Sequence, residues 1–154
     1  MYISDLEIYY TGLFRKLHTK VTQGQKAPHK PILLLSVIDL IETGVITDCF
    51  IPFSQEIESQ FMRLWIRYIG VSDSFQPKSS VPFWHMDYEP FWDLILKDGV
   101  VKSFDELAEE RAYGDFKKMQ KVVIGAKIDD DLLEVLQDPS ARARLRVELI
   151  KGYL

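Results

Sequence analysis

The sequence predicts an α+β fold: a single compact domain, mostly helical, with a small antiparallel or mixed sheet. Three observations predict it. Segments with helical periods alternate with short runs of β-branched and aromatic residues, and no repeat or interior linker divides the 154 residues. The composition, 47% hydrophobic and 27% charged, is typical of a globular protein. No apolar run approaches the roughly 18 residues that a membrane-spanning helix needs.

The chain opens with a predicted helix followed by a loop. Ser4-Asp5-Leu6-Glu7 has the pattern of a capping box, in which a serine and an acid three residues later satisfy free N–H groups. The apolar spacing that follows fades near His18. Residues 19–27 are polar, contain Gly24 and have no hydrophobic period, which predicts an irregular loop.

The second helix is predicted to be buried on all sides. Pro31 is expected to start it, because proline is favoured at the first helical position, and Gly44 is expected to end it. Within residues 32–42 the polar residues are Ser36, Asp39 and Glu42. A helix that is apolar around nearly its whole circumference belongs in a protein core.

A strand and a third helix are predicted next. Residues 45–53 have strand character and are interrupted by Pro52. Ser54 then caps a helix with a clean apolar stripe. Arg63 and Arg67 lie one turn apart on the polar side of that helix.

The following segment combines a polar loop with an aromatic strand. Residues 72–80 are polar and irregular. The aromatic run at residues 81–86 predicts a strand, and Pro82 within it favours an edge or exposed position.

The rest of the chain predicts a hairpin, further helices and one more strand. Residues 91–96 and 100–102 flank Asp98-Gly99, a strong hairpin signal. The remaining predicted elements are an acidic helix opened by a capping box at 103–106, a strand at 122–128, and two closing helices, the last entered through Asp138-Pro139.

Positive charge is concentrated in one stretch of an acidic chain. The net charge is −4, yet no acidic residue lies between Glu7 and Asp39. That stretch holds five cations, so the rest of the chain carries −9; the five are Arg15, Lys16, Lys20, Lys26 and Lys30. A local basic footprint on an acidic body is typical of focused phosphate contact. A solvated basic face is the alternative interpretation.

Within this stretch, His29 and Lys30 stand at the amino end of the predicted buried helix. Free N–H groups and the helix dipole favour an anion there. Arg63, Arg67 and Lys78 form a second cationic set. Each set taken alone is more often surface charge than a binding site.

The sequence predicts neither catalysis nor a metal or other cofactor. Cys49 lies in an apolar segment without a cationic neighbour, which favours a buried structural thiol. The chain contains no asparagine, and therefore no intact His-Asn-His nuclease site. The three histidines, His18, His29 and His85, lack the spacing of a metal site. A single cysteine and an amino terminus without signal-peptide character predict a cytoplasmic protein.

One group of acids resembles a nuclease site only superficially. Asp87, Glu89 and Asp93 lie near Lys97, but their spacing matches no nuclease pattern. They are therefore predicted to be surface acids.

Several segments together resemble the sulfur-binding domain of modification-dependent restriction enzymes. They are Ala27-Pro28-His29-Lys30-Pro31 with its leucine-rich helix, Val81-Pro82-Phe83-Trp84-His85, Phe91-Trp92, and the closing Leu136-Gln137-Asp138-Pro139 with Arg142, Leu145-Arg146 and Tyr153-Leu154. The resemblance covers essentially the whole chain. It implies that residues 1–154 are a recognition domain, not an enzyme, and that an HNH nuclease domain follows in the parent protein.

In that family the domain recognises phosphorothioate DNA, in which sulfur replaces one non-bridging phosphate oxygen. The resemblance thus implies double-stranded DNA carrying phosphorothioate linkages as the partner. It implies a type IV restriction system, and hence phage defence, as the setting. The resemblance implies no contact with a membrane, and it leaves open whether the protein forms a homodimer.

The same resemblance implies roles for individual residues. His29 and Lys30 would grip the modified phosphate, and Pro82, with Val81 and His85, would line the sulfur pocket. Some relatives carry arginine in place of Lys30 and a larger aromatic in place of Val81. Lysine lacks the bidentate fork of arginine, and valine makes the pocket wall shallower.

The polar segment 19–27 is the best candidate for contacts to base edges, because glutamine can pair with adenine and lysine with guanine. The candidates are Lys20, Gln23, Gln25 and Lys26. Two other functions stay open. One is a conventional sequence-specific DNA-binding domain whose helix enters the major groove. The other is a protein-interaction module that docks through the aromatic run.

Overall fold

Helices account for most of the described residues, which also form two small sheets. The computed structural model describes residues 2–72, 74–99 and 115–154. The helices in these ranges are α1 (Ile3–Arg15), α2 (His29–Glu42), α3 (Gln55–Tyr68), α4 (Ser80–His85), α5 (Phe116–Gln120), α6 (Asp130–Gln137) and α7 (Pro139–Tyr153), with a 3-10 turn at Met86–Tyr88. The strands are β1 (Val21–Thr22), β2 (Gln25–Lys26), β3 (Phe50–Pro52), β4 (Trp92–Leu96) and β5 (Val123–Ile128). The predicted α+β class is confirmed.

The core is built around α2. Every residue from Lys30 to Ile38 is buried, and the helix packs against α3, α4, α6 and α7. Its apolar sequence therefore has partners on all sides, as predicted. Gly44 follows the helix with φ +80°, a left-handed conformation that glycine adopts without strain.

The helix begins two residues earlier than predicted. His29 is its first residue, Pro28 occupies the N-cap, and Pro31 is the third residue. Proline is still tolerated there because N–H groups of the first turn have no partner within the helix. His29 and Lys30 consequently belong to the helix rather than to the segment before it.

The first helix also begins earlier than predicted. α1 starts at Ile3 with Tyr2 at its N-cap, and no side chain caps it. The carbonyl of Tyr2 accepts hydrogen bonds from the N–H groups of Asp5 and Leu6, at 3.1 and 3.2 Å. The residues expected to form a capping box are therefore inside the helix, and that prediction was wrong.

The polar segment 19–27 is not an irregular loop, because it contains the antiparallel pair β1–β2. The two residues between the strands, Gln23 and Gly24, have φ of +52° and +76°. Positive φ at both central positions is the signature of a type I′ turn, which matches the twist of a two-stranded ribbon. The short strands were missed because neither shows hydrophobic alternation.

The strand predicted at residues 45–53 is limited to Phe50–Pro52. Val45 and Ile46 instead donate their N–H groups to the carbonyl of Leu40, at 2.9 and 3.0 Å. They complete the carboxyl end of α2, so they are not available to a β ladder. Ser54 caps α3 as predicted, since its hydroxyl accepts from the Ile57 N–H at 3.4 Å.

The aromatic run at residues 81–86 is helical, so the predicted edge strand was wrong. It forms most of α4, in which Pro82 is the third residue. Phe83 donates its N–H to the Ser79 carbonyl at 3.1 Å, and the ring of Phe83 is fully buried. A first-turn proline is compatible with a short helix as well as with an edge strand. Phe83, Trp84 and Met86 therefore belong to the core, whereas Val81 and His85 of the same run are partly exposed.

The larger sheet has the order β3–β5–β4, with both pairs antiparallel. β4, β5 and the two closing helices match their predicted positions. Asp138 caps α7 by accepting the Ala141 N–H at 2.9 Å, and Pro139 is the first helical residue. The predicted strand at 100–102 and the capping box at 103–106 lie outside the described residues. None of the helices in the described ranges is long and apolar enough to cross a membrane.

Candidate nucleic-acid interface

A cavity of about 490 Å³ opens at the amino end of α2. Its wall comes from four parts of the chain: the segment after α1, the start of α2, the loop before α4, and α4 with the turn that follows it. The lining residues are His18, Thr19, Lys20, Thr22, Ala27, His29, Lys30, Ser74, Phe75, Gln76, Val81, Pro82, His85 and Tyr88. Two residue groups that are far apart in sequence, around positions 29 and 82, thus meet at one site.

Three contacts hold His29 in this wall. Its ring lies 4.9 Å from the ring of Trp65 and 6.0 Å from that of Phe75, measured between centroids. Its Nε2–H donates to the carbonyl oxygen of Gln76 at 2.7 Å. Burial lowers the pKa of His29, and this hydrogen bond partly opposes the shift. The lowered pKa favours the neutral imidazole, and the hydrogen bond to the Gln76 carbonyl places a proton on Nε2.

Lys30 forms a buried ion pair. Its Nζ donates to Oε2 of Glu89 at 2.7 Å, and the exposed fractions of the two side chains are 8% and 2%. The same carboxylate oxygen accepts from the backbone N–H and the ring Nδ1–H of His18, both at 3.1 Å. Lys30 lines the cavity and Glu89 does not, so the carboxylate lies behind the ammonium group.

Glu89 is the residue that sequence reasoning missed. It was predicted to be a surface acid, but only 3% of the residue is exposed. The sequence offered one signal of its burial: Glu89 is the acid within the otherwise aromatic and proline stretch Tyr88-Glu89-Pro90-Phe91-Trp92. Buried acids need a partner, and Lys30, 59 residues earlier, supplies it.

The residues predicted to form the sulfur pocket line one side of the cavity. Val81 and His85 are one helical turn apart on α4, and Pro82 lies beside them. Pro82 is buried, whereas the other two are partly exposed. The His85 ring stacks on that of Tyr88, with centroids 6.1 Å apart and planes 13° apart. Burial, and secondarily the charge of Lys30, lowers the pKa of His85.

The predicted base-contacting residues are divided between two places. Lys20 lines the cavity, and Gln23 stands at the tip of the β1–β2 hairpin, where its Oε1 accepts from the Ser74 hydroxyl at 3.4 Å. Gln25 and Lys26 line a neighbouring hollow, and the Lys26 Nζ lies 5.0 Å from the ring centroid of Tyr153. Thr22 of β1 also lines the cavity, so the hairpin borders the cavity through its first strand.

The second cationic set lies apart from the cavity lining. Arg63 donates to Oε1 of Gln60 at 2.9 Å, and the Arg67 guanidinium lies 5.4 Å from the ring centroid of Tyr68. Lys78 is exposed in the loop before α4. The structure thus brings together His29, Lys30, Lys20 and the α4 residues, but not these three cations.

Two candidate reactive groups are occupied by structural contacts. The Cys49 thiol donates to Oδ1 of Asp130 at 2.9 Å, and burial raises the pKa of Cys49 to about 11. The thiol therefore stays protonated at neutral pH and is a poor nucleophile. Asp87 accepts the Leu94 N–H at 2.9 Å. Across residues 2–72, 74–99 and 115–154, no three His, Cys, Asp or Glu side chains are arranged to hold a metal ion.

The chemistry of the cavity is that of a mixed site. One part of the wall consists of a proline ring and aliphatic carbon from α4, and another part presents a helix amino end with the His29 imidazole and a compensated ammonium group. Such a site can accept an anionic group that carries one weakly hydrated atom.

Comparison with known protein families gives a match over most of the chain. Residues 10–154 match the family model described as "ScoMcrA-like, DNA sulfur-binding domain". None of the curated proteins matches the chain.

Proposed function

Because the chain belongs to the family of ScoMcrA-like DNA sulfur-binding domains, we propose that residues 1–154 bind phosphorothioate-modified double-stranded DNA. The sulfur enters the cavity at the amino end of α2 and contacts the α4 wall. The observation that carries this proposal is the meeting of that apolar wall with His29 and Lys30 in a single cavity.

Discrimination between sulfur and oxygen arises from desolvation. Sulfur is larger and less strongly hydrated than a phosphate oxygen, so burial against Pro82 and Val81 costs little for sulfur. The same burial removes hydrogen bonds from an oxygen and is penalised. The penalty against ordinary DNA therefore contributes as much to specificity as any attraction for sulfur does.

The amino end of α2 supplies the phosphate contacts. Its first N–H groups have no acceptor within the helix, and its dipole favours negative charge. The Lys30 ammonium group adds a hydrogen-bond donor, and the exposed Lys20 adds a cation. The more distant Arg63, Arg67 and Lys78 contact the backbone of flanking DNA in this proposal.

The β1–β2 hairpin reads the bases next to the modified linkage. A two-stranded ribbon fits the major groove, and Gln23 at its tip can form a paired contact with adenine. Gln25 and Lys26 are exposed on the second strand of the same ribbon. Since the hairpin borders the cavity, a bound sulfur would place neighbouring base pairs within its reach.

The domain acts as a recognition module and not as a catalyst. In this proposal it directs the HNH nuclease domain of a type IV, modification-dependent restriction endonuclease to phosphorothioate DNA. Cys49 is only partly buried, contrary to the sequence prediction, but its thiol is protonated and bonded to Asp130; this and the structural contact of Asp87 support a binding role for this part of the protein.

The test is a competition assay with two matched duplexes, one of which carries a single phosphorothioate of defined stereochemistry. The wild-type chain should prefer the modified duplex. Pro82→Asp should lower affinity for that duplex by about tenfold to a hundredfold, because the charge removes the apolar wall. An acid is tolerated in the first turn of a helix, but Pro82 is buried, so thermal unfolding of the variant is measured alongside to show that it folds.

Ser140→Asp is the matched control. It introduces the same charge into the first turn of α7, at an exposed residue outside the cavity lining. This variant should keep the wild-type preference. Equal affinity of the wild type for both duplexes would favour a conventional DNA reader, and the absence of salt-dependent binding would favour a protein-interaction module.

A further inference from the structure

The carboxylate of Glu89 lies directly behind the cation at the cavity. It is 2.7 Å from the Lys30 Nζ, and both groups are almost fully buried. At this distance and depth the two charges interact far more strongly than they would in water. A bound phosphate therefore faces an ion pair rather than an isolated ammonium group.

Building on the proposed function, we propose that Glu89 is a positioning residue that compensates the charge of Lys30 and thereby keeps the site selective for sulfur. It fixes the ammonium group at the cavity wall and cancels most of its long-range field. Lys30 can then donate a hydrogen bond to a phosphate without attracting every DNA phosphate.

The need for compensation follows from the chemistry of the two ligands. A lysine ammonium group is a compact, strongly hydrated point charge. Left uncompensated, it would offset the desolvation penalty that an ordinary phosphate oxygen meets at the α4 wall. The gain would be smaller for the larger and softer sulfur. An isolated cation would thus raise affinity for ordinary DNA and reduce discrimination.

Glu89 also connects this cation to the end of α1. Its Oε2 accepts the His18 N–H, and the neighbouring Leu17 N–H donates to the Tyr153 hydroxyl at 3.0 Å. His18 itself lines the cavity. One carboxylate therefore sets the position of groups on two sides of the site.

The test compares Glu89→Gln with the wild type on the same two duplexes over a series of salt concentrations. Glutamine keeps the size and an acceptor oxygen but removes the charge. Affinity for the ordinary duplex should rise roughly tenfold, while affinity for the modified duplex rises less. The slope of log affinity against log salt should steepen by up to about 0.9, the value for one additional neutralised phosphate.

Glu134→Gln is the matched control, because it removes the same charge from an exposed residue of α6 outside the cavity lining. It should leave both the preference and the salt slope unchanged. A residue with a purely structural role would change stability, measured by thermal unfolding, without altering the ratio of the two affinities.

A second variant covers the case in which Glu89→Gln does not fold. The double variant Lys30→Met/Glu89→Gln removes both charges of the ion pair. Replacing a buried ion pair by uncharged residues is often tolerated. Because the pair carries no net charge, the salt slope should equal that of the wild type. A slope shallower by about 0.9 would show that Lys30 acts as a full cation and would overturn the inference.

The outcomes separate the two proposals. Wild-type preference for the modified duplex, with an unchanged ratio and slope in Glu89→Gln, would overturn the role of Glu89 and leave the proposed function intact. Equal wild-type affinity for the two duplexes would overturn the proposed function and this inference with it.

Discussion

His29 shows how a residue can be found from sequence while its chemical state cannot. Its position between two prolines at the start of an apolar helix indicated an anion site. The sequence also suggested a cationic pair with Lys30. In the structure Trp65 and Phe75 instead pack against the ring, and its burial lowers the pKa of His29 and so favours the neutral imidazole. Those two aromatics are distant in sequence, so the local pattern could not reveal the protonation state.

This burial predicts a pH dependence of stability. The pKa of His29 is lowered in the folded chain, so the unfolded chain binds the proton more readily. The stabilisation is complete above about pH 6.5, the ordinary value for histidine. It is lost as the pH falls through the lower folded value. The thermal unfolding midpoint of the wild type should therefore fall on acidification below neutrality.

His29→Gln is the variant that checks the assignment. Glutamine can still donate to the Gln76 carbonyl but does not titrate, so the fall in midpoint should be smaller than in the wild type. Thermal unfolding at a series of pH values between 5 and 8 measures the difference. Parallel curves for the two proteins over this range would contradict the assignment.

Lys30 and Glu89 show that a single sequence does not reveal which residues form a buried ion pair. Lysine at position 30 was identified, but its partner lies 59 residues away and was classed as a surface acid. An ion pair of this kind depends on the packing of α2 against α4 and on the turn that follows α4. Single-sequence patterns carry no information about which distant residue will supply the compensating charge.

At the scale of elements, periodicity identified the long helices and failed for short ones. α2 and α3 have enough turns to show a clear apolar pattern. α4 has only six residues, and its aromatic and proline content is equally typical of an edge strand. The segment, predicted as a strand, was nevertheless expected to contribute Val81, Pro82 and His85 to the site, because that assignment came from the family resemblance and not from the secondary structure.

The sheet contains one position where close packing requires glycine. Gly125 lies on β5, opposite Pro52 of β3. A Cβ atom at this position would collide with the carbonyl oxygen of Ile51 and lie 2.8 Å from Cε2 of Phe50. Gly125→Ala should therefore lower the free energy of unfolding by about 1–3 kcal/mol.

Urea unfolding checks this expectation, with Gly12→Ala as the control. Gly12 is inside α1, and no atom outside the helix lies within 4 Å of where its Cβ would be. Alanine there should raise the free energy of unfolding by about 0.5–1 kcal/mol. Equal stability of Gly125→Ala and the wild type would show that β3 moves freely away from β5.

At the scale of the whole molecule, charge and cavity have separate effects on binding. The chain carries a net charge of −4, and the stretch between Glu7 and Asp39 holds five cations and no acid. Phosphate contacts from this stretch depend on salt, because binding releases condensed counterions. The contact between sulfur and the α4 wall releases none.

The proposed function therefore predicts parallel salt plots. Log affinity for modified and unmodified duplexes should fall with the same slope against log salt, separated by a constant offset. Fluorescence anisotropy between about 50 and 300 mM salt measures both lines. Lines that converge at high salt would show that sulfur is recognised through charge rather than through desolvation.

The overall class and most long elements were predictable because they depend on local patterns and on the requirement to bury apolar surface. The cavity was predictable only in outline. The motifs around His29 and Pro82 identified two of its walls, whereas Tyr88, Phe75 and Glu89 depend on how distant segments pack. The remaining site residues were therefore beyond the reach of a single sequence.

The burial of α2 has a consequence for the entropy of binding. His29 and Lys30 begin a helix whose next turns are locked in the core, so their backbone and side chains are ordered before any ligand arrives. Immobilising a flexible side chain at an interface costs about 0.5–1.5 kcal/mol. Here that ordering occurs during folding, and the site is preorganised for its ligand.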